Sequence, residues 1–153
     1  MVYRLPDLPW DVIWARLWRP HVAMEAANIS FQLLHNILPV RGRLARWGLV
    51  EAASCQLCPG VVEDIFHVFL RCPRVADLWQ RLLAALLVHT GPVSDQDLLF
   101  LAWPPVARDK DITVVVRSYH HLVWSGRSED RPPSFGRLTA GLRALPAPFM
   151  PLW

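Results

Sequence analysis

All three cysteines of the chain and one of its six histidines fall within CQLCPGVVEDIFHVFLRC, residues 55–72. The spacing is C-x2-C-x8-H-x4-C, formed by Cys55, Cys58, His67 and Cys72. Two thiolates three positions apart can face one metal ion from a tight turn, and a histidine and a cysteine separated by four residues can complete a tetrahedron. Pro59-Gly60 turns the chain after the first pair, and EDIFHVFL predicts a helical turn that brings His67 inward. If that helix ran on as an α-helix, His67 and Cys72 would lie about 140° apart around its axis, poor geometry for a shared ion. Pro73 disfavours helical geometry at Cys72, so the thiolate can fold back. Glu63, one turn before His67, reads either as a hydrogen-bond partner of the second imidazole nitrogen or as a solvated residue at a helix start.

Four protein ligands leave no open position for water, so a zinc ion held here would be structural rather than hydrolytic. Two other readings of the segment stay open. The cysteines could be ordinary buried thiols with His67 a satisfied core histidine. A Cys55/Cys58 redox pair would need a strand leading into the motif and a helix starting within it, and neither flank reads that way. Three cysteines cannot all pair within one chain, and nothing points to a disulfide framework.

The remaining sequence predicts helices. With 153 residues, 53% of them hydrophobic, one compact unit is expected. In DLPWDVIWARLWRP, Trp10, Trp14 and Trp18 share one helical face, an aromatic ladder that reads first as core packing. A second helix follows in HVAMEAANISFQLLHNILP, with Ala23, Ala27, Phe31, Leu34 and Leu38 on one stripe. VRGRLARWGL reads as a short basic helix. PRVADLWQRLLAALLVHTGP opens with Pro73 and closes at Gly91-Pro92, and its Val75, Leu78, Trp79, Leu82, Leu83, Leu86 and Leu87 follow helical spacing. DITVVVRSYHHLVWSG has strand propensity at its start, but Ile112, Val115, Val116, Tyr119, Leu122 and Val123 fit a helical face. Residues 127–153 contain five prolines and no acid after Asp130, and are expected to be disordered. The expected organisation is a helical segment at 1–30, a zinc-binding unit at 31–90, a helical extension at 91–126 and the tail at 127–153. The fold class is mostly α, a small helical domain built around a zinc knuckle.

The longest apolar run, Leu82 to Val88, is far too short to span a bilayer, and the first residues carry an acid where a signal peptide would be apolar. An intracellular chain of nucleus or cytoplasm with no membrane partner is expected.

The stretch FQLLHNILPVRGRLARWGLVEAASCQLCPGVVEDIFHVFLRCPRVADLW, about a third of the chain, resembles the zinc-binding domain found downstream of the reverse transcriptase in non-LTR (LINE-type) retrotransposons. The family pattern is an aromatic and aliphatic helix, a Leu-Pro break, R-x-R-L, C-x2-C, E-x3-H, a last cysteine and a tryptophan. Here these are Phe31 to Leu34, Leu38-Pro39, Arg41 to Leu44, Cys55 and Cys58, Glu63 and His67, Cys72 and Trp79. The resemblance implies a zinc-stabilised module that helps a polymerase hold template RNA or target DNA. No Tyr-x-Asp-Asp segment or nuclease acid set is present, so no enzyme activity is expected, and the chain reads as a carboxyl-terminal piece of a longer polyprotein.

Of the sixteen basic residues fifteen are Arg and one is Lys110. That excess is open to two readings, phosphate binding or base composition of the gene. If nucleic acid binds, the expected contacts are Arg41, Arg43 and Arg46 with Trp47, joined by Arg71 and Arg74. An alternative of a different class is a protein-interaction module, in which the Trp-rich first helix packs on a reverse transcriptase core or another protein. A third is a translated remnant without function.

Overall fold

The computed structural model describes residues 8–19, 24–127, 132–145 and 152–153. Its helices are α1 (Trp10–Leu17), α2 (Met24–Leu34), α3 (Arg41–Arg46), α4 (Pro73–Thr90), α5 (Asp95–Leu99), α6 (Asp109–Ser125) and α7 (Phe135–Arg143), with a π-helical turn at His67–Arg71 ahead of α4. No strand is present among the described residues, only an isolated antiparallel bridge between Ser54 and Val62. None of the described helices is long and apolar enough to cross a membrane.

Helix α6 is the central post. It buries Ile112, Val115, Val116, Tyr119 and Val123 of the stripe that its periodicity predicts, with Leu122 half-buried at its edge. Helix α2 packs along it through Ala26, Ala27, Ser30, Leu33 and Leu34, and α7 and the π-turn pack against other parts of it. The ITVVV start is helical despite its strand propensity, because the 3.6-residue repeat lets α6 bury apolar groups on several sides at once. Helix α4 begins with Pro73 in its first turn and ends before Gly91, and it buries Val75, Leu78, Trp79, Leu82 and Leu86. One apolar cluster unites residues from Ile13 to Leu152.

Two expectations need correction. The face of α1 turned to the core carries Ile13, Arg16 and Leu17, whereas Trp14 and Trp18 are 36% and 56% exposed. The four-residue spacing put the tryptophans on one face without saying which face is buried. They form an outer ladder, Trp14 and Trp18 stacked at 6.2 Å, with Phe31 of α2 and His35 just after it alongside. The expectation of disorder over 127–153 does not extend to α7, where Ser134 accepts a hydrogen bond from the Arg137 N–H and Leu138 and Leu142 are buried. An amphipathic pair one helical turn apart and a capping serine outweigh the flanking prolines. Residues 128–131 and 146–151 of that stretch lie outside the described ones.

Arginine builds part of the core. Arg16, 1% exposed, donates to the carbonyls of Leu101 and Trp103 at 2.7 and 2.6 Å, and pairs with Asp109 at 2.5 Å. Its guanidinium stacks 4.1 Å from the Trp103 ring, and the Trp103 indole N–H donates to Asp109 at 2.9 Å. Asp109 stands in the first turn of α6, where a carboxylate is also favoured by the helix dipole. Arg117, equally buried, donates to the Arg16 and Arg19 carbonyls at the end of α1, and desolvation pulls its pKa down to about 10. His120 is fully buried between Ser30 Oγ, 2.9 Å from Nδ1, and the Leu99 carbonyl, 3.0 Å from Nε2. A carbonyl only accepts, so Nε2 carries the proton and the ring is neutral, with burial pushing its pKa down to about 3.

Replacing Asp109 by Ala leaves the Arg16 charge buried without its partner. The variant is expected to lose about 3–5 kcal/mol of unfolding free energy in a denaturant titration, and a loss below 1 kcal/mol would show that the pair does not anchor α1 to α6.

Candidate metal centre

The segment before the π-turn is a short hairpin. Cys55 N–H donates to the Val61 carbonyl at 2.8 Å and Glu63 N–H to the Ala53 carbonyl at 3.0 Å. Between them Gly60 takes φ +80°, a conformation that a side chain would resist. This turn presents Cys55 and Cys58 on the same side.

The other two candidates arrive through the π-turn. Asp64 caps it by accepting the His67 N–H at 2.7 Å, and the Cys72 N–H donates to the His67 carbonyl at 2.8 Å, five residues back. An i→i+5 bond widens the turn and brings residue i+5 nearer to the face of residue i than an α-helix would. The 140° offset of an α-helix is thereby reduced. Pro73 has no N–H for the Phe69 carbonyl, which instead accepts the Tyr119 hydroxyl of α6. Phe69 is fully buried and packs against His120 and Trp124, so the turn is fixed to the central helix.

The outcome is a cluster in which the ligand atoms of Cys55, Cys58, His67 and Cys72 all lie within 4.8 Å of one another. Cys58 Sγ and Cys72 Sγ are 4.0 Å apart. That is far beyond a disulfide bond and close to the ~3.8 Å expected for two sulfurs each ~2.3 Å from one tetrahedral zinc ion. All three thiols are free. Cys55, His67 and Cys72 are buried, and His67 Nε2 has no hydrogen-bond partner in the protein. Buried imidazole nitrogens are ordinarily satisfied, so this one fits a metal-ligating atom. Burial first, then the neighbouring sulfurs, push the Cys72 thiol up to about 11, offset in part by the Arg74 backbone N–H. Desolvation also raises Cys58. Bringing a divalent cation to such a group inverts the balance and favours the thiolates.

Glu63 follows neither of its two readings. It is 5% exposed, and its Oε1 accepts the Arg41 N–H at 2.8 Å and the Arg127 guanidinium. Its backbone carbonyl also accepts the Gly42 N–H at 3.0 Å. Here α3 comes so close that a Cβ on Gly42 would lie 2.8 Å from that carbonyl oxygen.

The arginines proposed from sequence are distributed over four places. Arg41 is tied to the hairpin through its Nε–H to the Ser54 carbonyl at 3.0 Å. Arg43 and Arg46 line one groove, with Arg43 5.8 Å from the Trp47 ring and Trp47 60% exposed. Arg71 is exposed, 5.6 Å from the Phe66 ring, and lines a different groove beside Asp95. Arg74 donates to the Gly126 carbonyl at 2.9 Å and lines the cavity of about 260 Å³ at the cysteine-histidine cluster.

Residues 6–79 match the family described as zinc-binding in reverse transcriptase. This segment belongs to that family, which is found in non-LTR retrotransposon proteins. No curated protein and no solved structure matches the chain. The zinc-binding family is a non-catalytic one, and its segment here spans α1, α2, α3, the hairpin, the π-turn and the first residues of α4. The residues present fit zinc: three soft sulfurs, one orphaned imidazole nitrogen and separations that one tetrahedral ion can bridge.

Gly42, Asp64, Arg127 and the hydroxyl contact of Tyr119 escaped the sequence reading. Asp64 stands at a capping distance from His67 and was legible in principle. Tyr119 and Arg127 are distant in sequence and gave no local signal. Tyr119→Phe leaves the buried Phe69 carbonyl without a donor. It is expected to lower stability by about 1–3 kcal/mol in chemical denaturation, and no change would mean that the carbonyl finds another donor.

Proposed function

We propose that the chain is a zinc-stabilised, non-catalytic nucleic-acid-binding module from the carboxyl-terminal region of a LINE-type reverse transcriptase polyprotein. Cys55, Cys58, His67 and Cys72 hold one zinc ion, and the module assists in binding template RNA or target DNA. The observation that carries the reading is α3: it is clamped to the hairpin by Glu63, and it offers Arg43, Arg46 and an exposed Trp47 at its outer end. Forked guanidinium groups suit phosphate oxygens, and an exposed indole suits an unpaired base. Arg71 supplies a further exposed cation at the end of the π-turn. Arg41 and Arg74 act mainly through the protein contacts described above. Zinc holds the frame that presents these groups and leaves no position for a reactive water.

Cys58→Ser is expected to lower bound zinc well below one ion per chain by elemental analysis, together with helicity. Unchanged metal content in that variant would sink the ligand assignment. For the nucleic-acid reading, binding to single-stranded RNA and to duplex DNA should weaken steeply with salt, and Arg46→Ala should reduce the slope of log affinity against log salt by roughly 1. A salt-independent affinity would contradict it.

The exposed ladder of Trp14 and Trp18 with Phe31 and His35 favours a second reading, a protein-interaction module that packs on a reverse transcriptase core or another protein. Apolar association of that kind persists or strengthens as salt rises, the opposite of phosphate binding.

A further inference from the structure

We infer that Arg74 and Arg127 are the counter-charges of the metal centre, and that zinc retention is therefore controlled partly by a residue outside the zinc-binding segment 6–79. The inference rests on the zinc assignment and adds to it which side chains hold the ion in place electrostatically.

The argument is a charge count in a confined space. A zinc ion with three thiolates and one neutral imidazole carries a net charge of minus one. Glu63, 5% exposed, lines the same cavity and adds a second negative charge. Two anionic centres whose groups other than Cys58 are buried are stabilised by nearby cations, because burial of unbalanced charge is strongly unfavourable. Two cationic side chains line that cavity, Arg74 and Arg127.

Both are held by the end of α6. Arg127 pairs with Glu63 and lies 4.4 Å from the Trp124 ring. Arg74 donates to the Gly126 carbonyl at 2.9 Å, which fixes its guanidinium beside the same loop. The carboxyl end of α6 thus closes one wall of the metal cavity. With Glu63 ionised, the sum over the zinc centre, Glu63, Arg74 and Arg127 is zero.

The test uses the full chain loaded with zinc and follows release of the ion to a chromophoric chelator. Arg127→Gln is expected to speed release by roughly tenfold or more, as for outer partners of metal ligands, while still binding one zinc and keeping its far-ultraviolet circular dichroism. Arg127→Lys keeps the charge and should stay near the wild-type rate. The double variant Glu63→Gln/Arg127→Gln removes one charge of each sign and should also recover most of the retention. Arg143→Gln, which removes an exposed cation on α7, should change nothing. Equal release from Arg127→Gln and wild type would overturn the inference. So would equally fast release from Arg127→Gln, Arg127→Lys and the double variant, because that pattern belongs to lost packing rather than lost charge. A wild-type chain that binds no zinc would instead remove the underlying assignment, an outcome separable from both.

Discussion

Sulfur atoms crowded into a poorly solvated space oppose one another's ionisation, and the architecture around residues 55–72 is organised by that conflict. Cys58 and Cys72 stand 4.0 Å apart with Cys55 and His67 within reach, and burial holds the metal-free Cys72 thiol up near 11. A zinc ion held there would turn the same crowding into four bonds and exchange bound protons for metal. Because Cys55 and Cys72 also belong to the apolar core, the energy of such bonds would pass directly to the packing. Through Phe69 and Tyr119 the metal segment is joined to α6, and through Glu63 it is joined to α3.

The arginine-rich composition acquires a divided meaning in this frame. Arg16 and Arg117 are interior residues that satisfy carbonyls at the end of α1 and in the loop before α6. A lysine could not donate to two carbonyls, pair with Asp109 and stack on Trp103 at once, so Arg16 depends on the planar fork of its guanidinium. Arg74 and Arg127 face the metal cavity. Of the arginines singled out for nucleic acid, Arg43, Arg46 and Arg71 are left at the outer surface regions.

Much of the helical plan was legible because it follows from local rules. The i, i+3, i+4 pattern of α4, its Pro73 start and its Gly91 end fixed both its extent and its buried face. That Cys55, Cys58, His67 and Cys72 come together was legible for a related reason, since four metal-binding side chains at short separations admit few geometries. The offset between His67 and Cys72 was anticipated as a difficulty; Cys72 leaves helical geometry at ψ 132° ahead of Pro73 as expected, and the π-turn before it was not foreseen. The orientation of α1 was not legible, because an aromatic stripe and the Ile13, Leu17 stripe are both apolar, and tertiary contacts with α2 and α6 decide between them. Nor could Glu63 be assigned, since its partner Arg127 is 64 residues away.

The central claim is that three cysteine sulfurs and one histidine nitrogen bind a single zinc ion. X-ray absorption at the zinc edge of the purified full chain measures that first coordination shell directly. The account predicts three sulfurs at about 2.3 Å and one nitrogen at about 2.0–2.1 Å. A shell of light oxygen and nitrogen atoms without sulfur, or a chain that retains no zinc, would contradict it.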